Sequence, residues 1–141
     1  MIITNCSCSK VQYQEPSNDT AIISILDSKN ETHLTKRWPH ELKIKFDLVR
    51  DGEDAGDRLP FDRNMAKAII EFVLLLPSNI EQILVQESDG GSRAYSVAAA
   101  LCDYVYEIND KNKKKVNWLI YDTLKEAYFY PNREIETTIF L

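Results

Sequence analysis

The chain has 141 residues, of which 44% are hydrophobic and 28% are charged. This composition fits one globular domain with a single core, spanning residues 1–141. The net charge of −5 argues against broad electrostatic binding of nucleic acid or of an anionic membrane surface. No apolar run reaches the roughly 18 residues of a membrane span, so we expect a cytoplasmic protein that binds neither nucleic acid nor membrane.

Two β-strands are predicted in the first third of the chain. Residues 1–4 are a short apolar start, and residues 7–19 are polar and turn-like. Ala21–Leu26 is a nearly continuous β-branched apolar run, which is typical of an interior parallel strand. Apolar and polar residues alternate over 42–46, which predicts a second strand with one solvent-exposed face.

A helix and a third strand complete a βαβ unit. Residues 61–76 have an apolar face at helical spacing, with Asp62 as the N-cap and Pro77 as the end. This helix would connect the strand at 42–46 to a short apolar strand at Gln82–Gln86 by a right-handed crossover.

The last third of the chain reads as helical. The helical pattern continues over 92–108 and again over 116–128, and Pro131–Arg133 opens a last short helix. The chain therefore predicts a three-layer α/β fold, in which helices flank a mostly parallel central sheet of about four to five strands.

The segment that joins the Gln82–Gln86 strand to the next helix has the features of an anion-binding loop. Two glycines allow positive φ there, and Ser92 can cap the helix whose first N–H groups carry the positive end of the helix dipole. Arg93 adds a planar set of donors. The predicted anion-binding loop consists of Ser88, Asp89, Gly90, Gly91, Ser92 and Arg93.

The sequence from Val85 to Ala94, Val-Gln-Glu-Ser-Asp-Gly-Gly-Ser-Arg-Ala, resembles the signature loop of the dual-specificity and tyrosine phosphatases. That signature has His and Cys, five residues with a central Gly, and then Arg preceded by Ser or Thr. Gly90, Ser92 and Arg93 match it, whereas Gln86 stands in place of the His and Glu87 in place of the nucleophilic Cys. The resemblance implies a phosphatase-like fold with a phosphate-binding loop and no family nucleophile.

Segments outside the loop extend this resemblance. Ala21–Asp27 and the Asn-Arg pair after Pro131 resemble segments of small bacterial and phage-borne phosphatase-like proteins. The family also carries a general-acid Asp on a loop some thirty residues before the signature, which implies that role for Asp51, Asp54 or Asp57. Without a nucleophile these carboxylates have no assigned task, and a solvated acidic loop is the simpler interpretation.

The substitution at position 87 decides between functions. A phosphocysteine requires a thiolate, which Glu87 cannot supply. Its carboxylate can instead accept the inward N–H bonds of the loop and pair bidentately with Arg93. Asp89 adds a second negative charge, and both effects oppose binding of a phosphate dianion.

Three hypotheses follow. The first is a pseudophosphatase in which Glu87 pairs with Arg93 and the protein binds a phosphorylated or acidic protein partner. A phosphate or sulfate would suit the loop itself, but its binding there would contradict the internal ion pair. The second is a phosphoester hydrolase of altered chemistry, with Glu87 as base or nucleophile. The third is a structural or interaction protein that uses another surface, such as the Tyr-rich helix or Lys111–Lys115.

Cysteines and histidines give weaker signals. Cys6 and Cys8 have no following Cys or His at metal-finger spacing, and Cys102 reads as a small hydrophobic residue inside a helix. His33 and His40 lie in a polar stretch and are expected at the surface. We therefore expect no metal site and no cofactor.

Overall fold

The structure is a computed structural model that describes residues 1–29, 36–88, 91–108 and 115–132. Within these ranges it contains four β-strands, four α-helices and one π-helical turn. In chain order they are β1 (Ile2–Ser7), α1 (Cys8–Val11), β2 (Thr20–Leu26), β3 (His40–Lys45), α2 (Arg63–Leu74), β4 (Gln82–Glu87), α3 (Ser92–Ala100), the π-helical turn (Leu101–Val105) and α4 (Trp118–Phe129).

The four strands form one parallel sheet in the order β1-β4-β2-β3. All seven residues of the central strand β2 are buried, because the sheet is covered on both faces and β2 has a neighbour on each side. At the edge, β3 exposes Lys43 and Lys45, as expected for a strand with one wet face. The chain therefore has the predicted α/β fold.

The core divides into two layers, one on each face of the sheet. Ile23 and Val85 face the larger cluster, which includes the buried residues of α2, α3 and α4. Their neighbours Ile22 and Leu84 face the opposite side, where they form a smaller cluster with two other buried residues, Val11 and Trp38. This alternation follows from the two-residue period of a strand and gives the three-layer arrangement.

Helix α2 forms where its sequence signals predict it. The Asp62 carboxylate accepts a hydrogen bond from the N–H of Met65 at 2.9 Å, so Asp62 is the N-cap. Four apolar residues, Ala66, Ile69, Ile70 and Val73, form its buried face. The helix ends at Leu74, two residues before the predicted end, and Pro77 follows.

The beginning of the chain is more regular than predicted. The residues expected to be a short apolar start and a polar turn form the edge strand β1, which pairs with β4 from Ile2 to Ser7, and the short helix α1. Only Ile3 of the β1 residues is buried, so the strand lacks the apolar pattern by which strands are recognised. Its hydrogen bonds to β4 hold it in the sheet.

The predicted helix over 92–108 is not continuous. The α-helical part ends at Ala100, and the N–H of Tyr106 bonds the carbonyl of Leu101 at 3.0 Å, which is the i→i+5 contact of a π-helical turn. The helix over 116–128 begins two residues later than predicted, after Asn117 as N-cap. The last short helix was predicted from Pro131 onward, and all but Pro131 and Asn132 of it lies outside the described residues. None of the described helices is long and apolar enough to cross a membrane.

Candidate functional site

Charged side chains meet where three parallel strands end. Asp27 follows β2, Phe46 follows β3, and Glu87 is the last residue of β4. The carboxyl ends of parallel strands lie at the same edge of the sheet, which is where ligand sites of α/β proteins usually form. Arg93, the second residue of α3, reaches this edge from the other side of the loop.

Arg93 joins the three strand ends through hydrogen bonds. Its Nε donates to Glu87 Oε2 at 2.6 Å. Its Nη1 donates to Asp27 Oδ1 at 2.6 Å and to the carbonyl oxygen of Phe46 at 2.8 Å. The guanidinium is therefore hydrogen-bonded to the last residue of β4 and to the residues that directly follow β2 and β3.

Both carboxylate oxygens of Glu87 accept hydrogen bonds. While Oε2 accepts from Arg93, its other oxygen, Oε1, accepts the backbone N–H of Ala94 at 2.9 Å. Glu87 is 1% exposed and Arg93 is 7% exposed. The Glu87 carboxylate therefore accepts hydrogen bonds from a backbone N–H in the first turn of α3 and from the Nε–H of Arg93. An external anion bound in the loop would use these same donors.

The electrostatic balance at this edge favours the charged form of arginine. Burial alone would lower the pKa of Arg93, but the carboxylates of Glu87 and Asp27 raise that pKa above its ordinary value. One guanidinium thus faces two carboxylates within hydrogen-bond distance, and it carries no excess positive charge for a further anion.

Beside this network, the Asp47 carboxylate hydrogen-bonds to the segment that follows β2 and to the later part of the segment that follows β3. Its Oδ1 accepts the N–H of Ser28 at 3.0 Å, and its Oδ2 accepts the N–H of Leu59 at 2.8 Å together with the Ser28 hydroxyl. Burial would raise the pKa of Asp47, but these hydrogen bonds and the charge of Arg93 hold it below its ordinary value. The ionised Asp47 therefore links the segments that follow β2 and β3.

The residues of the predicted anion-binding loop have different environments. Ser88 is exposed, Ser92 is half-buried and Arg93 is buried, whereas Asp89 and Gly90 lie outside the described residues. Gly91, rather than the predicted Ser92, is the N-cap of α3, and Ser92 is the first helical residue. Gly91 has φ −82° and ψ −154°, so it does not adopt the positive φ that its glycine would allow. Gln86 is buried within β4, with Cys6 and Ser24 beside it in the register of the sheet.

None of the three candidate general acids contacts the Glu87–Arg93 pair among the described residues. Asp54 accepts the N–H of Gly56 at 3.0 Å, and Asp57 pairs with Lys29 at the surface. Asp51 lines a pocket near the start of α3. The structure singles out no general acid.

Arg58 organises this acidic segment, and the sequence did not single it out. Its guanidinium donates to the carbonyl oxygens of Leu48, Asp54 and Ala55, at 3.0, 2.7 and 3.0 Å, and it pairs with Glu53 at 2.5 Å. The hydrogen bonds of this one half-exposed arginine side chain therefore hold the turns of the loop together.

Two pockets open beside the first turn of α3. One, of about 410 Å³, is lined by Arg50, Asp51, Ser92 and Trp118 among others. The second, of about 450 Å³, is lined by Asn5, Gly91, Ser92 and Tyr95, and Lys115 borders both. Two cationic side chains near the Glu87–Arg93 pair, Arg50 and Lys115, are thus not part of it and are exposed to solvent.

None of the three cysteines is in a disulfide bond, and their environments give them little reactive character. Burial raises the pKa of the Cys6 thiol to about 11, and Cys8 and Cys102 are buried. His40 is half-buried at the start of β3, and His33 lies outside the described residues. In the ranges that the structure describes, no group of three or more His, Cys, Asp or Glu side chains could hold a metal ion.

Sequence reasoning missed Asp27 and Asp47 as members of this site. Each directly follows a predicted strand, and that position was the available signal. Comparison of the chain with protein-family models, curated proteins and solved structures gave no match. The resemblance to phosphatases therefore stays a prediction from the sequence motifs.

Proposed function

We propose that this protein is a phosphatase-like protein that acts by binding and not by catalysis, with Glu87 as the built-in counter-ion of Arg93. The observation that carries the proposal is that the Glu87 carboxylate is hydrogen-bonded within the protein through both of its oxygens. Its two oxygens accept hydrogen bonds from Arg93 and from the N–H of Ala94, and the side chain is 1% exposed.

Nucleophilic catalysis by Glu87 requires a different arrangement. A carboxylate that attacked phosphorus would form an acyl phosphate, and one of its oxygens would have to face the substrate. Such an attack would first break the contact with Arg93 or with Ala94, and it would leave a buried group unpaired. Because breaking a buried ion pair costs about 3–5 kcal/mol, the closed arrangement disfavours an enzyme that uses Glu87.

Anion binding inside the loop meets the same obstacle. A phosphate would have to displace Glu87 from Arg93, and the guanidinium would still be shared with Asp27 and the Phe46 carbonyl. The proposed partner is a phosphorylated or acidic protein that binds outside the ion pair. Arg50 and Lys115, which line the neighbouring pocket, supply the positive charge for it.

Phosphoester hydrolysis tests the absence of catalysis. We expect the wild type and Glu87→Gln to hydrolyse p-nitrophenyl phosphate no faster than buffer. Glu81→Gln, which makes the same change at an exposed position before β4, is the matched control. Turnover by the wild type that Glu87→Gln abolishes and Glu81→Gln retains would make Glu87 catalytic and overturn the proposal.

Peptide titration tests the class of partner. We expect an acidic or phosphotyrosine peptide to bind the wild type, and to bind Arg50→Glu and Lys115→Glu at least about tenfold more weakly. Binding that survives both charge reversals would place the partner elsewhere.

A further inference from the structure

Asn117 is a buried polar residue whose hydrogen bonds run in three directions. Its side-chain oxygen, Oδ1, accepts the N–H of Ile120 at 3.2 Å, and this bond caps α4. Its side-chain nitrogen, Nδ2, donates to the carbonyl oxygen of Val49 at 3.2 Å, and its backbone N–H donates to Ser96 Oγ at 2.7 Å. An N-cap needs only the first of these bonds, so the other two require a separate explanation.

The bond to Val49 holds the pocket wall that carries Arg50. Val49 directly precedes Arg50, whose carbonyl oxygen accepts the N–H of Glu53 at 3.0 Å and so closes a turn. Gly52 supplies a positive φ of 77° at the third position of this turn. The Asn117 amide therefore ties the residue at which the turn begins to the start of α4.

The bond to Ser96 reaches the pocket wall formed by α3. Ser96 is completely buried, and its Oγ donates in turn to the carbonyl oxygen of Ser92 at 2.5 Å. Ser92 lines the pocket that also holds Arg50. Lys115 and Trp118, near Asn117 in the chain, line it as well. Asn117 thus connects the three segments between which this pocket lies.

We propose that Asn117 is a positioning residue of the partner-binding pocket, and that its side-chain amide places Arg50 opposite Lys115 before the partner arrives. The proposal rests on the proposed function, in which these two cations bind an acidic partner. Groups that are already in place bind more tightly, because association does not have to order them. The amide acts through Arg50, and the cations make the contact with the partner.

Asn117→Ser separates positioning from capping. Serine keeps an N-cap oxygen and the backbone N–H, but its side chain ends one bond short of the atom that donates to Val49. We expect Asn117→Ser to bind a hexaglutamate peptide at least about fivefold more weakly than the wild type. Asn79→Ser removes an amide donor to the carbonyl of Asn18 at an exposed site, and this matched control should bind like the wild type.

A double-variant cycle tests whether the amide acts through Arg50. Asn117→Ser should change the peptide affinity by less than about twofold in Arg50→Ala, and by the full factor of about five in Lys115→Ala. An equal effect in both backgrounds would overturn the positioning role and leave the proposed function intact. Peptide binding that Arg50→Ala leaves unchanged would contradict the proposed function and this role together.

Backbone relaxation measured by NMR tests the same role without any ligand. We expect the order parameters of Val49 and Arg50 to fall from about 0.85 in the wild type toward about 0.6 in Asn117→Ser. The order parameters of β2 should stay unchanged, because the released bond is local and the fold is retained. Order parameters of Val49 and Arg50 that keep their wild-type values would overturn the proposal, whether or not the peptide binds.

Discussion

Arg93 Nε and Glu87 Oε2 lie 2.6 Å apart as an ion pair in which both side chains are almost fully buried. The pair joins the last residue of β4 to the first turn of α3, and so it closes the loop between them. Because Arg93 also binds Asp27 and the Phe46 carbonyl, the same guanidinium holds three strand ends together. The pair is thus a structural element, and it uses donors that the predicted anion-binding loop would offer to an external anion.

Removing the arginine should destabilise the fold more than neutralising the glutamate. Arg93→Met leaves Glu87 buried without its cation, which should cost about 3–5 kcal/mol of unfolding free energy. Glu87→Gln leaves Arg93 paired with Asp27 and should cost about 1–3 kcal/mol. Urea denaturation of both variants measures the difference.

The double variant sharpens this comparison. Glu87→Gln with Arg93→Met should be more stable than the sum of the two single changes implies, since no buried charge of the pair then remains unpaired. Lys29→Met, which breaks an exposed ion pair with Asp57, should stay close to wild type. Strict additivity of the two buried changes would refute the ion-pair account.

The carboxylate of Asp47 should make stability depend on pH. Its hydrogen bonds hold the pKa of Asp47 below the ordinary carboxyl value, so the ionised group stabilises the fold above about pH 4. That stabilisation is lost as the pH falls through the lowered pKa, because the group must then take up a proton in the folded state.

Denaturation of the wild type and of Asp47→Asn between neutral and acid pH measures this effect. The stability difference between them should be largest near neutral pH and should shrink as the solution is acidified below about pH 4. Asp122→Asn, at an exposed position of α4, is the control and should show no such trend. A difference for Asp47→Asn that is the same at every pH would show that its charge does not contribute.

The two helix caps should differ in their importance. Asp62→Ala removes one exposed cap of α2 and should cost about 1 kcal/mol. Asn117 caps α4 by accepting the N–H of Ile120, and its side-chain amide also donates to the buried carbonyl of Val49 at 3.2 Å. Asn117→Ala should therefore cost about 2–3 kcal/mol, since it also leaves that carbonyl unpaired. Equal midpoints of thermal unfolding for the two variants would contradict this assignment.

The thiols should react slowly in the folded protein. Burial raises the pKa of Cys6 to about 11, so little thiolate is present near pH 8, and the other two thiols are buried. We expect iodoacetamide to modify the three cysteines at that pH only after denaturation, as measured by mass spectrometry. Rapid modification of Cys6 in the native protein would contradict this expectation.

The sequence is informative where one residue pattern decides the local structure. The apolar run of β2 and the caps and apolar face of α2 predict those elements because burial on both faces and helical spacing leave clear patterns. The contact between Glu87 and Arg93 was also expected, because the resemblance places both residues in one anion-binding loop. The expected bidentate pairing was wrong, since Nε alone donates to Glu87 while Nη1 donates to Asp27 and to the Phe46 carbonyl.

Other features depend on the assembled fold and could not be predicted. The edge strand β1 buries one residue of six and has no period to recognise. Asp27 lies 66 residues from Arg93 in the chain, and only the order of the strands brings the two together. The π-helical turn after Ala100 follows an uninterrupted apolar helical pattern and leaves no local signal.

The most direct test of the central claim is calorimetric titration of inorganic phosphate into the wild type, the single variants Glu87→Ala and Arg93→Met, and the double variant that combines them. If Glu87 occupies the place of an external anion, the wild type should not bind phosphate at millimolar concentration. Glu87→Ala should bind it, and the double variant should not. Phosphate binding by the wild type that is lost on Arg93→Met would contradict the account, because it would show that Arg93 is available to an external anion while Glu87 is present.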